Sequence, residues 1–324
     1  MKIFFVGNFK GGFVGQDAEL LSEEFHVTSF DIQKYTLSIP NIIRYSIDCL
    51  KRIPSIRRSD LIYIWMADVQ AVPVMIIGKF FSKPVVVCIG DYEVNNVPEI
   101  NYGNQRFLIR GMLSRWVIRN ATKNIVPTEP FVGITKKVEP HADMAVIPDC
   151  IDVNPCDDSF PKKKNLVTTA VLSEFSKIRK NIPLFEKIGA SGKIDAEMKV
   201  MIYVPREEYI QTLKDARVYC QLSYPDCEAF GVSLCEAMSY GCVPVISNCE
   251  SMEWVVDGTG IVVPYGDEEA TINAIQKALT RDGRPARDRA RCFTKERRKK
   301  AIVQLIHQIY DKQMPEKSDG SSDL

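Results

Sequence analysis

One segment of the chain predicts a strand, a helix and a second strand in immediate succession. Residues 217–222 read as an apolar strand, and after a Pro-Asp turn Gly231 allows a close backbone approach at the start of a helix. The helix is expected to end at Gly241, a natural left-handed cap, and the second strand covers 243–247. Such a crossover is typical of parallel sheets, so the segment calls for an α/β fold.

Two acidic residues flank the start of this helix. Glu228 lies just before it and Glu236 roughly two turns along it, so their carboxylates lie up to about 12 Å apart. At the carboxyl edge of a parallel sheet, helix N-termini with free N–H groups bind anions. Carboxylates accept hydrogen bonds from sugar hydroxyls, and the helix start suits a diphosphate. The two acids by themselves leave two readings open, a nucleotide-sugar site and a solvated helix with incidental Glu residues.

The same residues resemble the motif of a known family. From Glu228 to Gly241 the two Glu, Phe-Gly, Ala-Met and the capping glycine fall in register, and a Pro-Val strand follows. This resembles the donor site of GT-B glycosyltransferases, specifically the retaining family 4, also called glycosyltransferase group 1. The loop that begins at Gly241 is one residue longer than the common family form.

The resemblance implies a role for each matching residue. The first acid, Glu228, would contact the transferred sugar, and the second, Glu236, the nucleotide ribose. The residues at the helix start would bind the donor; they are Phe230, Gly231, Val232 and Ser233. Val204 lies in the turn where the family's backbone reads the nucleobase.

Cationic partners for the diphosphate are expected after the first strand of the second domain. By resemblance Lys180 matches the family lysine, with Arg179 beside it. The family's upstream arginine is absent, because Val171-Leu172-Ser173 occupies its place. Arg179 or Lys177 would substitute for it; a basic helix start that meets only solvent is the alternative. Catalysis would be chiefly electrostatic, through neutralisation of the leaving diphosphate.

Two loops in the first half supply weaker marks. Gly11 and Gly12 follow the first strand and precede a predicted helix at 17–24, the place of the GT-B glycine loop that closes over donor and acceptor. A second loop, after the strand at 84–89, resembles the Gly-[GS]-x-Asp loop of some family members. From it Asp91 or Glu93 would face the cleft. Asp91 is the catalytic candidate, and an Asp that caps a turn explains it equally well.

The chain divides into two halves of alternating strands and helices, with helices of the first half expected at 68–81 and 104–120. A proline-punctuated linker at 147–155 separates them and resembles the segment that joins the two GT-B domains. The predicted fold is α/β, with two doubly wound Rossmann-like domains at 1–150 and 151–297 that face each other across a cleft. The resemblance implies that a helix at about 298–314 crosses back to the first domain. Residues 315–324 are predicted to be a disordered tail.

Composition fits a globular enzyme and excludes several classes of partner. The 324 residues are 45% hydrophobic and 26% charged, and a net charge of +1 offers no reason to expect nucleic acid. The ten cysteines lack a C-x-x-C pair, which favours reduced core residues of a cytoplasmic protein. No Asp-x-Asp triplet or ligand-spaced His supports a metal site, and charges interrupt the apolar stretch 61–90, so no membrane span is expected.

A basic amphipathic pattern covers 41–58. Its apolar residues are Ile42, Ile43, Ile47, Leu50 and Ile53, and its basic residues are Arg44, Lys51, Arg52, Arg57 and Arg58. The pattern favours a surface helix with its apolar face on the core. Peripheral contact with an anionic membrane surface, near a lipid-linked acceptor, is the alternative.

Together these features predict a retaining hexosyltransferase that uses a nucleoside-diphosphate sugar as co-substrate and needs no metal or other cofactor. The acceptor would be a hydroxyl of a glycan, a glycolipid or a small molecule. Two other classes stay open. A nucleotide-sugar epimerase or hydrolase of the same architecture would convert donor without acceptor, and a degenerate sugar-nucleotide binding protein would bind donor without turnover.

Overall fold

The computed structural model describes residues 1–9, 12–32, 39–152, 165–171 and 173–313. Within these ranges the chain forms two parallel sheets with helices packed against them. The predicted α/β fold with two Rossmann-like domains is confirmed. Gly11, the linker from residue 153 to 155 and the tail 315–324 lie outside the described ranges.

The first sheet has six parallel strands in the order β2-β1-β3-β4-β5-β6. Its strands are Lys2–Gly7 (β1), His26–Asp31 (β2), Leu61–Trp65 (β3), Val85–Cys88 (β4), Lys123–Val126 (β5) and Met144–Val146 (β6). The helices between them are Gly12–Ser22 (α1), Ile39–Lys51 (α2), Ile53–Arg58 (α3), Ala71–Phe80 (α4), Leu108–Asn120 (α5) and Glu129–Val138 (α6).

The second sheet has five parallel strands in the order β11-β10-β9-β7-β8. Its strands are Leu166–Val171 (β7), Glu197–Ile202 (β8), Val218–Gln221 (β9), Val243–Ser247 (β10) and Ile261–Val263 (β11). Its helices are Glu174–Arg179 (α7), Ile182–Ala190 (α8), Arg206–Asp215 (α9), Val232–Ser239 (α10), Glu250–Val256 (α11), Glu268–Leu279 (α12) and Arg284–Ala290 (α13), followed by Lys295–Gln313 (α14).

Both faces of the first sheet are buried, as expected for parallel strands. Along β1, Phe4 and Val6 point to a core that α2 to α6 cover, while Ile3 and Phe5 point to a second core on the opposite face. The strand is therefore a continuous apolar run rather than an alternating one.

The last helix, α14, crosses from the second domain to the first, as predicted. Its apolar side chains pack into the same core as Ile3 and Phe5; they are Ile302, Leu305, Ile306 and Ile309. Inside this contact the Arg298 guanidinium donates to both carboxylate oxygens of Asp17, at 2.6 and 2.8 Å. Both residues are buried. The carbonyls of Ile147 and Pro148 accept two further bonds from Arg298.

Three expectations about local structure were wrong. Helix α1 begins at Gly12 rather than at residue 17, so the glycine loop after β1 is shorter than predicted. The helix expected over 104–120 is broken at Phe107, whose backbone is extended, with φ −108° and ψ 120°. On α2 the apolar face is not on the core: Tyr45 and Cys49 are buried, while Ile42, Ile43, Ile47 and Leu50 are exposed.

Candidate functional site

The candidate site is built on the turn between β9 and α10. Gly231 has φ 84° and ψ 60°, a left-handed conformation that side chains rarely adopt. A Cβ at this position would also lie only 3.1 Å from Nε2 of Gln221. Gly231 is the N-cap of α10 and makes no side-chain cap bond. The first amides of α10 are thus available to an anion at the carboxyl edge of the second sheet.

Glu228 lies in this turn and is held by a cation. Its Oε2 accepts a 2.7 Å bond from Nη1 of Arg179 and a 3.2 Å bond from the hydroxyl of Ser223. Burial raises the pKa of Glu228, but the opposing charges of Arg179 and Lys180 outweigh burial and hold the pKa below its usual value. Glu228 is therefore an ionised acceptor of hydrogen bonds in a largely enclosed position.

Arg179 connects the two domains. Besides Glu228, its Nη1 donates to the carbonyl of Cys227 at 2.7 Å and lies 3.4 Å from Oδ2 of Asp91 in the first domain. Its guanidinium carbon sits 5.6 Å from the ring centroid of Tyr102. Burial raises the pKa of Asp91, Arg179 opposes that rise and Glu228 adds to it. One guanidinium thus serves two carboxylates, one from each domain.

The structure shows which of the two acids in the loop after β4 faces the site, a choice that the sequence did not decide. Asp91 faces Arg179, whereas Glu93 turns inward and its Oε1 accepts the backbone N–H groups of Ala67, at 3.0 Å, and Gly90, at 3.2 Å. Burial raises the pKa of Glu93 to about 7. Glu93 organises its own loop, and Asp91 is the acid placed at the site.

Lys180 lies beneath the start of α10. Its Nζ donates to the carbonyl of Ala170 at 3.1 Å and to the hydroxyl of Ser233 at 3.0 Å. Burial lowers the pKa of Lys180 to about 8, although Glu228 opposes the decrease. An ammonium group bonded to the second helical residue of α10 is well placed to share a phosphate with the helix amides.

Glu236 lies on α10, three residues after Ser233. Its carboxylate accepts a 2.5 Å bond from Arg206 and a 2.8 Å bond from the hydroxyl of Tyr209. An ionised carboxylate has about four acceptor positions, so positions remain for a further hydroxyl donor. The charges of Glu228 and Glu236 both act on Lys180. The two acids therefore flank one region rather than opposite surfaces.

The remaining predicted residues contribute less to this cluster. The Phe230 ring is buried edge-on against Phe293, 5.1 Å between centroids, which leaves only its backbone near the turn. Lys177 pairs with Glu174 at 3.0 Å and does not join Glu228. Val232 and Val204 pack partly against the second-domain core. Gly12 is the first residue of α1, with open space where a side chain would begin.

Four side chains at the site were not predicted from the sequence. Ser223 donates to Glu228, and its place directly after β9 was a usable signal, because strand ends meet at this edge. Tyr102 carried no such signal, since its ring reaches Arg179 from the other domain. Arg206 and Tyr209 meet Glu236 across the sheet edge from α9.

The turn that carries Glu228 also contacts the first domain. The side-chain amide of Asn95 donates to the carbonyl of Asp226 at 3.0 Å. The Thr128 hydroxyl lies 3.1 Å from the carbonyl oxygen of Ala229 and 3.0 Å from the hydroxyl of Ser251. Ala229 itself packs into the core of the first domain. The candidate site therefore lies where the two domains meet.

Three features of the described part of the chain concern metal binding, disulfide formation and membrane insertion. Within it, no three His, Cys, Asp or Glu side chains are grouped so as to hold a metal ion. The cysteines described there are free thiols, and all but Cys292 are buried. No helix in the described ranges is both long enough and apolar enough to cross a membrane.

Comparisons with known proteins agree with this geometry. Residues 186–310 match the family model described as Glycosyl transferases group 1, a segment that includes the turn at Glu228 and helix α10. No curated protein matches the sequence. Among solved structures, sucrose-phosphate synthase from Thermosynechococcus elongatus has 16% identity and a TM-score of 0.72, over 96% of this chain and 100% of that one.

Two further structures are similar over nearly the whole chain. HepE of Anabaena, in complex with UDP and glucose, has 14% identity and a TM-score of 0.68, over 95% of this chain and 100% of that one. A glycosyltransferase from Rickettsia africae has 12% identity and a TM-score of 0.67, over 95% and 98%. These likenesses concern the fold. The solved structures show that the chain has the GT-B fold, and residues 186–310 are similar to group 1 glycosyltransferases.

Proposed function

We propose that the chain is a retaining, metal-independent glycosyltransferase that moves a hexose-type sugar from a nucleoside-diphosphate sugar to a hydroxyl acceptor. One observation carries the proposal: Arg179 holds the ionised Glu228 in the turn before α10, and Lys180 bonds to Ser233 at the start of that helix. That arrangement offers cations and helix amides for a diphosphate and a carboxylate for sugar hydroxyls.

In the proposed reaction the bond between the sugar and the diphosphate breaks first. Lys180, Ser233 and the first amides of α10 hold the charge that develops on the leaving diphosphate. Glu228 orients the sugar. The oxygen of the acceptor hydroxyl then forms the new glycosidic bond on the face that the diphosphate leaves, and its proton passes to the departing diphosphate. Asp91 approaches from the first domain and is proposed to contact the reacting hydroxyls. The protein side chains supply these charges in place of a metal.

The first experiment identifies the donor. HepE was crystallised with UDP-glucose and TarM of S. aureus with UDP, so UDP-sugars are the leading candidates. A thermal-shift panel of UDP, GDP, ADP and their sugars is expected to show one nucleotide that raises the melting temperature, because a ligand that binds only the folded state stabilises it. A panel without any shift would contradict the proposal.

Glu228→Gln is expected to lower turnover by more than about tenfold, because a charge-assisted hydrogen bond that orients the sugar is lost. Initial rates of sugar transfer at saturating donor measure the effect. Glu207→Gln, an exposed acid in the first turn of α9, is the matched control and should transfer sugar at the wild-type rate. Near-normal transfer by Glu228→Gln would remove Glu228 from the mechanism.

The pH dependence of the transfer rate should reflect the ionisation of Lys180. Its pKa is lowered to about 8 by burial, so the ammonium charge is present below that pH and lost above it. We expect kcat/KM to fall as pH rises through about 8, since kcat/KM follows the free enzyme. In kcat the same decline should move to higher pH, because a bound diphosphate favours the charged form. A Lys180→Met variant that keeps the decline would contradict this assignment.

A second candidate function is that of a sugar-nucleotide binding protein without turnover. It is favoured by the position of Arg179, whose charge is already shared between Glu228 and Asp91. Such a protein would shift in the thermal panel yet transfer no sugar to any acceptor. An epimerase or hydrolase would instead convert the donor alone. A product analysis with and without acceptor separates the three. We further propose a cytoplasmic location.

A further inference from the structure

Exposed apolar side chains of the described residues are concentrated on one part of the first domain. Of the thirteen large apolar side chains that are exposed, ten lie on or beside α2, α4 and α5. Leu108, Phe80 and Ile109 are the most open, at 83%, 80% and 68% of their maximal exposure. The ten form what we call the apolar face: Ile42, Ile43, Ile47, Leu50, Ile76, Phe80, Phe107, Leu108, Ile109 and Met112.

The three helices belong to one layer. Helix α4 packs against α2 and α3 on one side and against α5 on the other. All of them contribute to the same core beneath, through residues such as Tyr45, Met75 and Val117. Their outer sides therefore point away from the sheet in a common direction, and the apolar face lies on that outer side.

The exposure is not the ordinary scatter of surface hydrophobics. Helix α2 buries Tyr45 and Cys49 and turns Ile43, Ile47 and Leu50 to the outside, so it is apolar on both sides. Large contiguous apolar surface is rare on soluble monomers and marks a place where something else binds. The other large apolar side chains exposed in the described ranges, Ile178, Tyr203 and Val262, all lie on the second domain.

The charge around this face is positive. Between residues 39 and 58 the five basic residues Arg44, Lys51, Arg52, Arg57 and Arg58 accompany a single acid, Asp48, which pairs with Lys51. Residues 69–90 contain Lys79 and Lys83 and no acid. In contrast, Arg110, Arg119 and Lys123 are paired with Asp68, Glu139 and Asp143. The basic excess thus lies on α2 and α3 and at the end of α4, beside exposed isoleucines and Phe80.

We propose that the apolar face docks onto the surface of an anionic lipid bilayer. Apolar side chains flanked by Lys and Arg bury their apolar parts at the acyl boundary while the cations meet acidic headgroups. The positive rim matches the charge of such a surface, and it disfavours a second copy of this chain, whose same face would carry the same charge. The sequence pattern at 41–58 is one part of this face, and the structure adds α4 and the start of α5 to it.

The position of the face has a consequence for the acceptor, which rests on the proposed function. In a doubly wound domain the helices begin at the carboxyl edge of the sheet, the edge that borders the cleft. The residues at the starts of α2 and α5, among them Ile42 and Leu108, lie toward that edge. A bilayer on this face brings lipid headgroups near the cleft, so the acceptor class is a hydroxyl carried by a membrane lipid.

Vesicle flotation tests the docking. Wild-type protein is mixed with vesicles of phosphatidylcholine alone or with added phosphatidylglycerol, and is expected to float only with the latter. The variant Leu108→Glu/Ile109→Glu should lose binding by at least about fivefold, because two apolar anchors become acids. Glu is well tolerated in the first turn of a helix, so α5 should remain folded. Val262→Glu, an exposed apolar residue on β11, is the control and should float as wild type does.

A second variant tests the charges. Arg57→Glu/Arg58→Glu should reduce flotation with the anionic vesicles by about fivefold or more for each cation removed, and added salt should reduce wild-type flotation in the same way.

Each contrary result is informative. Wild-type protein that stays at the bottom with both vesicle types overturns the proposal, as does equal flotation of Leu108→Glu/Ile109→Glu. A wild-type mass of two chains by light scattering, halved in that variant, would assign the face to a second copy and would also overturn it. The nucleotide thermal shift is measured on the same variants, so loss of flotation with nucleotide binding retained separates the docking from the proposed glycosyltransferase function.

Discussion

Lys180→Met is expected to lower turnover by roughly 100- to 1,000-fold, the usual effect of removing one preorganised group that stabilises developing charge. Lys180 is buried and bonded to Ser233 at the start of α10. A buried ammonium acts on a diphosphate in a medium of low dielectric, where its field is weakly screened. The loss should appear in kcat rather than in KM alone, because in the proposed reaction negative charge grows on the diphosphate as it leaves.

The fold of this variant should survive. Methionine has nearly the length of the lysine side chain, and Ser233 keeps Gln221 as a partner at 3.3 Å. The Ala170 carbonyl loses a donor, but the cost of burying an ammonium is removed at the same time. Steady-state rates, circular dichroism and nucleotide thermal shift should be measured together. Lys187→Met, at an exposed lysine paired with Glu268, is the control. A Lys180→Met enzyme within a few-fold of wild type would exclude electrostatic catalysis by this lysine.

Arg298→Met is expected to lower the free energy of unfolding by about 3–5 kcal/mol, the usual cost of leaving one partner of a buried ion pair alone. Asp17 would then be a buried carboxylate with only the Tyr63 hydroxyl, at 2.9 Å, and the Trp65 indole N–H, at 2.8 Å, as donors. The carbonyls of Ile147 and Pro148 would lose their partner as well. Denaturant unfolding followed by circular dichroism measures the change.

Two further variants make this prediction specific to the buried charge. Arg284→Met removes an exposed arginine paired with Asp282 and should change stability by no more than about 0.5 kcal/mol. Asp17→Asn placed in the Arg298→Met background should recover about 1–3 kcal/mol, because the buried charge of Asp17 is gone while an acceptor for Tyr63 and Trp65 remains. Asp149, whose Oδ1 lies 3.2 Å from Nη1 of Arg298 in the wild type, still lacks that cation in the double variant. Equal stability of Arg298→Met and Arg284→Met would show that the pair is not an important contact between α14 and the first domain.

The fold was predictable because its signals are local. Parallel strands such as β3 are continuous apolar runs, and Gly231 and Gly241 are positions where the backbone has φ of 84° and 71°. The apolar strands and the two glycine turns can both be predicted directly from the residue types. Helix bounds were less accurate: α1 begins five residues before the prediction, because glycine at its start does not exclude a helix that packs on the sheet.

The candidate site was predictable only in part. The spacing from Glu228 to Ser233 placed the acid, the turn and the helix start correctly relative to each other in the chain. It could not show that Arg179, rather than Lys177, turns toward Glu228, because that choice depends on the position of each side chain around α7. Contacts between domains, such as that of Tyr102 with Arg179, depend on how the domains pack and leave no local pattern.

The orientation of α2 was predicted wrongly for a related reason. Helical periodicity identifies an apolar stripe, but it does not say whether the stripe meets the core or the surroundings. Tyr45 and Cys49, which carry polar atoms, are the residues that the sheet buries. Ile43 and Ile47 are the ones left outside.

The crossing of α14 has a consequence for biosynthesis. The first domain emerges from the ribosome early, yet the surface around Ile3, Phe5 and Tyr63 is completed only when Ile302 and Ile306 emerge, after the whole second domain has been made. Throughout that interval the first domain has an incomplete hydrophobic core with exposed apolar strands. Chains in this state aggregate unless chaperones bind them. Production of this protein should therefore be sensitive to elongation rate and to chaperone supply.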